Sequence, residues 1–140
     1  LEMPVLGICL GMQLMCRFSE EENTWGLGIF PMEVKKFTDS CKVPHMGWNT
    51  VRKLKTTLFQ GINPGEWMYF VHSYYLEAAD PSIVTATTEY GTLIHASVEK
   101  GNIFACQFHP EKSSRIGLKI LQNFVDITKE YRDKHTQGGQ

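Results

Sequence analysis

The sequence has no excess of basic charge. Fourteen lysines and arginines stand against fifteen acidic residues, a formal net charge of −1, whereas a chain that grips nucleic acid or an anionic membrane carries a basic stripe. Neither partner is therefore expected. No C-x-x-C pair occurs among Cys9, Cys16, Cys41 and Cys106, so zinc-ribbon and thioredoxin-type motifs are unsupported. No metal or cofactor is expected from the residue pattern. There is no apolar run of the length that crosses a bilayer: Met3 to Cys16 is interrupted only by Gln13 but falls short of the ~20 residues required. It is no secretory leader either, because no basic segment precedes it and Glu2 has the wrong sign. Internal repeats are absent.

What is present is an ordinary folded composition. The hydrophobic fraction is 42%, too high at so small a net charge for a disordered chain. At 140 residues one domain with a real core is expected, over residues 1–134, followed by a polar, frayed tail at 135–140. A core of this size needs no disulfide staples, so the four thiols are expected to be reduced, as in a cytoplasmic protein. The chain opens on Leu1 and enters an apolar segment at once. Natural chains rarely begin on a buried strand, so residues upstream are expected.

The pattern alternates strands and helices. Residues 4–8 form a continuous apolar run, expected to be a strand buried on both faces. A helix is expected over 10–18, a solvated loop from Glu20 to Asn23, and a turn over Trp25 to Gly28. Residues 29–37 and 43–52 read as two strands joined by a turn at Asp39-Ser40, and the aromatic run 67–75 as one strand. Residues 83–89 and 92–99 form a hairpin around Gly91, and 103–108 a further strand. A final helix is expected from 114 to about 132, with Ser113 or Ser114 as N-cap. Ile116, Ile120, Phe124, Ile127 and Tyr131 make its apolar face, widened by Leu121 and Val125.

Gly7-Ile8-Cys9-Leu10-Gly11 has the form G-x-C-x-G between a strand and a helix, the cysteine counterpart of the G-x-S-x-G nucleophile elbow. Such a turn strains its central residue and brings strand and helix close at the two flanking positions, where glycine fits. The thiol would sit at a helix N-terminus, whose dipole favours thiolate. The Leu10 N–H would face a developing oxyanion. The competing explanation is a buried structural cysteine in a glycine-containing strand.

A cysteine nucleophile needs a base and a group that orients the base. Five histidines compete. His109 follows the strand 103–108 as Cys9 follows the strand 4–8, so the two would meet at the carboxyl edge of a sheet, where α/β folds bind ligands. In His109-Pro110-Glu111 the proline stiffens the unit, and the Glu111 carboxylate can hold the imidazole tautomer. Otherwise His109 ends a strand and Glu111 opens a helix. Gln13, the one polar side chain of its run, needs a hydrogen-bond partner when buried. A ligand and a local backbone group are the two candidates.

Four strings together, PVLGICLGMQLM at 4–15, KVPHMGWN at 42–49, YFVHSYY at 69–75 and QFHPEKS at 107–113, resemble the class I (triad) glutamine amidotransferases. Within them they look like the family of glutaminase subunits of imidazole glycerol phosphate synthase. The resemblance implies an α/β fold: a flavodoxin-like mixed sheet with flanking helices, here lacking its N-terminal portion. It implies a Cys9/His109/Glu111 triad that hydrolyses L-glutamine through a glutamyl thioester, with Leu10 in the oxyanion hole. It also implies that Gln13 contacts glutamine and that Ser73 and Tyr74 hold its amino-acid end. Tyr69, Met46, Trp48 and Asn49 would face a synthase (cyclase) partner, a (β/α)8 barrel that receives the ammonia for histidine biosynthesis. On residue pattern alone Trp48 and the aromatics of 67–75 are as well explained by a core.

The family's N-terminal portion carries a glycine-rich segment with a second oxyanion donor, which has no counterpart here. Without the family's upstream strands the run 4–8 would also lose a hydrogen-bonding neighbour and cover for its faces. A chain of this length alone is therefore expected to aggregate or to pair its bare edge with another copy, and to turn over no glutamine. Two alternatives stand beside the main reading: another enzyme of this architecture, either a γ-glutamyl peptidase or a class I amidotransferase feeding a different synthase, and a non-catalytic module that only binds a partner.

Overall fold

The computed structural model describes residues 3–37 and 42–138, so Cys41 and the turn expected at Asp39-Ser40 lie outside the described residues. In chain order the elements are β1 (Val5–Ile8), α1 (Leu10–Leu14), β2 (Phe18–Ser19), β3 (Thr24–Trp25), β4 (Met32–Lys36), β5 (His45–Thr50) and β6 (Trp67–His72). They continue with β7 (Tyr74–Ala78), β8 (Val84–Glu89), β9 (Leu93–Lys100), β10 (Ile103–Cys106) and α2 (Ser114–Gly138). Among the described residues no helix is long and apolar enough to cross a membrane.

Pairing is mixed, as expected of this α/β class, but it is distributed over three small sheets, ordered β1-β10-β9-β8, β3-β2-β4-β7 and β5-β6. The parallel pair β1/β10 places Ile8 opposite Cys106. Residues 43–52 and 29–37 do not pair with one another: β4 pairs with β2 and β7, and β5 with β6. The expected hairpin forms between β8 and β9, and Gly91 at φ 72° makes its turn.

Several boundaries differ from the sequence reading, for physical reasons. The helix expected over 10–18 ends at Leu14, because Phe18 and Ser19 pair with β3 and β4 instead. Trp25, expected in a turn, belongs to β3. The aromatic run 67–75 is two strands, since Ser73 is a corner at which the chain leaves the β5-β6 sheet for that of β4. β1 is only half-buried at Val5, Leu6 and Ile8, not buried on both faces. It lies at the edge of its sheet, with β10 as its sole strand neighbour among the described residues.

Two apolar clusters fill the interior, divided by the first sheet. Alternate side chains of a strand point to opposite faces, so Phe104 and Cys106 join Phe70, Phe108 and Ile120 on one side. Ala105 joins Met12, Met32 and Leu76 on the other. α2 covers the first cluster with Ile116, Ile120, Phe124 and Ile127. Val125, expected to widen that face, is exposed, because its position points away from the sheet. The helix runs to Gly138, beyond the expected end near Arg132. Its last turns are polar and suited to solvent, and Glu130 and Lys134 pair across one turn. The Ser113 hydroxyl does not cap this helix, because it donates to the His109 carbonyl at 2.6 Å and accepts from the Tyr69 N–H at 2.9 Å.

Candidate active site

Cys9 stands alone between β1 and α1, with φ 53° and ψ −104°. L-residues avoid this region, and holding one there costs about 1–3 kcal/mol, a strain characteristic of active sites. The surroundings impose it. The Cys9 N–H donates to the Cys106 carbonyl of β10 at 2.8 Å, and its own carbonyl accepts from the Gln13 N–H at 3.1 Å. Gly7 suits the same turn, since a Cβ there would lie 3.2 Å from the Gly11 carbonyl carbon and 2.9 Å from the movable Met15 methyl carbon. Gly11 answers no such demand: a Cβ at that position meets nothing within 4 Å. The expected symmetric close approach is therefore one-sided.

The Cys9 thiol donates to the Val71 carbonyl at 3.7 Å and accepts from the Gln107 side-chain amide at 3.4 Å. Burial pushes its pKa up, and the Leu10 N–H and the Gln107 amide only partly offset this. The sequence reading, in which the helix end favours thiolate, is thus corrected. α1 has five residues, too short a dipole to outweigh desolvation.

Because β1 and β10 are adjacent and parallel, the residues that follow them emerge at the same end of the sheet, and His109 lies there with Cys9. The His109 N–H donates to the Tyr69 carbonyl at 2.9 Å, which fixes the backbone of this segment to β6. Its Nδ1 donates to the Glu111 carboxylate, 3.1 Å from Oε1 and 3.2 Å from Oε2. In a neutral ring Nε2 then carries the lone pair. That nitrogen is buried and makes no hydrogen bond among the described residues, and the same holds for Gln107 Oε1. The thiol hydrogen bond goes to Val71, so the structure assembles the His109–Glu111 half of the expected triad and leaves the Cys9–His109 contact unmade. Buried unpaired acceptors cost about 1–3 kcal/mol each.

Gln13 is half-buried one turn beyond Cys9. It lines an open cavity of about 260 Å³ together with Leu10, Leu14, Ser19 and Trp25. Ser73 is exposed at its corner and Tyr74 half-buried. Met46 and Trp48 are exposed on β5, Trp48 packs edge-on against Tyr69, and Asn49 donates to the Glu89 carbonyl at 2.7 Å. The exposure of Met46 and Trp48 removes the core as the explanation of these two side chains, whereas Phe70 of the aromatic run is fully buried and is core. Sequence reasoning missed Gln107, although its position two residues before His109 puts both on one side of an extended chain. It also passed over His45 and His72, which form a buried hydrogen-bonded pair at 2.9 Å. Among the described residues no cluster of histidine, cysteine and carboxylate side chains is arranged to hold a metal ion.

Residues 1–127 match the family described as Glutamine amidotransferase class-I. The chain belongs to that family. Among its relatives, the imidazole glycerol phosphate synthase subunit HisH of Bacteroides fragilis is 52% identical over 130 residues, which cover 91% of this chain and 65% of the relative. The protein of the same name from Thermosynechococcus vestitus is 48% identical over 133 residues, covering 91% of this chain and 64% of the relative. The chain thus spans just under two thirds of the length of these relatives. A Thermoplasma acidophilum protein, provisionally assigned to GMP synthase, shares the fold, with a TM-score of 0.75 and 23% identity. The match covers 97% of this chain and 62% of that one.

Proposed function

We propose that the chain is the glutamine-hydrolysing part of an imidazole glycerol phosphate synthase, working in the cytoplasm. The observation that carries this reading is the strained Cys9 elbow, set at the same sheet end as a His109 whose buried Nε2 has no hydrogen-bond partner among the described residues. In the reaction Cys9 passes its proton to His109 Nε2 as the thiolate attacks the side-chain amide carbon of glutamine. The oxyanion forms against the Leu10 N–H. Collapse expels ammonia, with the proton returned from His109 to the leaving nitrogen, and leaves a glutamyl thioester. Water, deprotonated by the same Nε2, then releases glutamate and restores the thiol. Glu111 stabilises the imidazolium in both halves. A resting thiol of raised pKa suits this order, because the thiolate is generated only once a substrate is in place.

Gln13 contacts the bound glutamine, and Ser73 and Tyr74 hold its amino-acid end through backbone groups. Met46, Trp48, Asn49 and Tyr69 face the synthase partner, a (β/α)8 barrel that takes the ammonia into imidazole formation. The two exposed aromatic and thioether side chains on β5 support this assignment, since large apolar groups dominate interface energies. The names of the relatives support the pathway. The test is glutamate release from glutamine by the native full-length protein, with and without the synthase partner, beside Cys9→Ser. Turnover that needs the thiol is expected, and turnover of the Cys9→Ser protein at the parent rate would overturn the reading.

A further inference from the structure

His45 and His72 face each other across the β5/β6 pair and are 3% and 5% exposed. The proposed chemistry uses neither. The hydrogen bonds around them leave one arrangement of protons. His72 Nδ1 lies 2.7 Å from the Tyr74 carbonyl, which can only accept, so this nitrogen is the donor. In a neutral ring Nε2 then accepts, and its partner at 2.9 Å, His45 Nδ1, donates. His45 Nε2 must therefore accept, and the group 3.3 Å away is the Asn49 amide nitrogen, which can only donate. The orientation of that amide is fixed independently, because the Thr50 N–H donates to Asn49 Oδ1 at 2.7 Å. Both ends of the chain demand the same direction. It closes without conflict only with both rings neutral and both protonated on Nδ1. Burial, which holds both rings at a pKa of about 4, supports the neutral state. His45 is further clamped between Tyr90 and Phe70, with ring centroids at 4.0 and 4.9 Å.

The chain of bonds ends where the backbone turns. Ser73 is the single residue between β6 and β7, and the His72 side chain bridges it by bonding the carbonyl of Tyr74. The same strand β6 accepts the Cys9 thiol at Val71 and the His109 N–H at Tyr69. A shift of its end therefore moves the corner and the reacting groups together. We infer that His45 and His72 are positioning residues, a one-directional hydrogen-bond chain that starts at Asn49 on the partner-facing strand and holds the Ser73 corner in shape for glutamine. This role presupposes that Ser73 and Tyr74 hold glutamine, as proposed above.

The test uses the full chain with ¹⁵N-labelled histidine. At pH 7 both rings are expected as the neutral Nδ1–H tautomer, with bare Nε2. Asn49→Ala is expected to shift the ring nitrogens of His72 as well as those of His45, although Asn49 touches only the latter. In glutamine turnover, His45→Phe keeps the ring stack and removes the chain. It is expected to raise the KM for glutamine about tenfold, the loss of roughly one hydrogen bond, with kcat within about threefold. His45→Asn places an amide donor near the lost Nδ1 and is expected to recover part of that KM. An Nε2–H tautomer at His72, a His72 signal indifferent to Asn49→Ala, or an unchanged KM in His45→Phe would each overturn the inference. If His45→Phe fails to fold, the tautomers of the parent and the Asn49→Ala shift still decide it. Absence of glutamine turnover in the native full-length protein with its synthase partner would count against the proposed function and leave the tautomer result to judge the hydrogen-bond chain.

Discussion

Acid should unfold this domain through its buried histidine pair. His45 and His72 have folded pKa values of about 4, set first by burial. Repulsion from His72 adds to this at His45, while at His72 the Tyr74 carbonyl partly offsets it and repulsion from His109 is the smallest contribution. In the unfolded chain both return to an ordinary 6.5. Between these values the unfolded state binds protons that the folded state refuses. The stabilisation is thus complete above about pH 6.5 and drains away as pH falls toward 4. At ~1.4 kcal/mol per pH unit, each ring contributes ~3 kcal/mol across the whole interval and ~2 kcal/mol by pH 5. The rings share a hydrogen bond, so their joint loss at pH 5 is about 2–4 kcal/mol, a large part of a typical 5–15 kcal/mol. Urea denaturation at pH 7.5, 6 and 5, followed by tryptophan fluorescence, reads this as a midpoint lower by about 1–2 M at pH 5. His45→Phe retains the stack between Tyr90 and Phe70 and is less stable at pH 7.5, but it should lose less on acidification, by roughly one proton. Carboxylates act equally in both proteins and cancel in the difference. Identical pH slopes for parent and variant would refute the assignment of acid lability to this pair.

Three further outcomes are expected. Glu111→Gln should lower glutamine turnover strongly without abolishing it, because the amide keeps the shape and loses the charge that steadies the His109 imidazolium; turnover within a few-fold of the parent would make Glu111 a structural residue. Gln107→Leu should move alkylation of Cys9 by iodoacetamide to higher pH, since burial would then act with one lowering contact fewer, and an unchanged pH profile would remove Gln107 from the site. Trp48→Ala should leave the fold intact, the side chain being half exposed, and should weaken association with the synthase partner in a titration followed by calorimetry; unaltered association would take β5 out of the interface.

The elbow was legible in the sequence because its demands are local. Gly7 lies against Met15 within the same strand–turn–helix unit, and the order of residues alone shows a thiol between strand and helix. The His109-Pro110-Glu111 unit was legible for the same reason. The corner at Ser73 was not, since an unbroken aromatic run gives no sign that its two halves join different sheets. The His45–His72 pair depends on the register of two strands, its members 27 residues apart, and nothing near either residue announces it. The electrostatic state of Cys9 also escaped the sequence. Position at a helix start predicts a lowered pKa, but helix length and burial, both set by tertiary structure, reverse the sign.

The central claim, that Cys9 is the nucleophile of glutamine hydrolysis, is tested most directly by covalent capture. A glutamine-like electrophile such as a diazoketone analogue, followed by intact mass and peptide mapping, should add one label per chain, at Cys9, and excess L-glutamine should slow its addition. Cys16 and Cys106, whose burial raises their pKa to about 12 and well above the ordinary thiol value respectively, should remain unmodified. A label appearing first at Cys16, Cys41 or Cys106, or labelling of Cys9 that glutamine does not slow, would contradict the account.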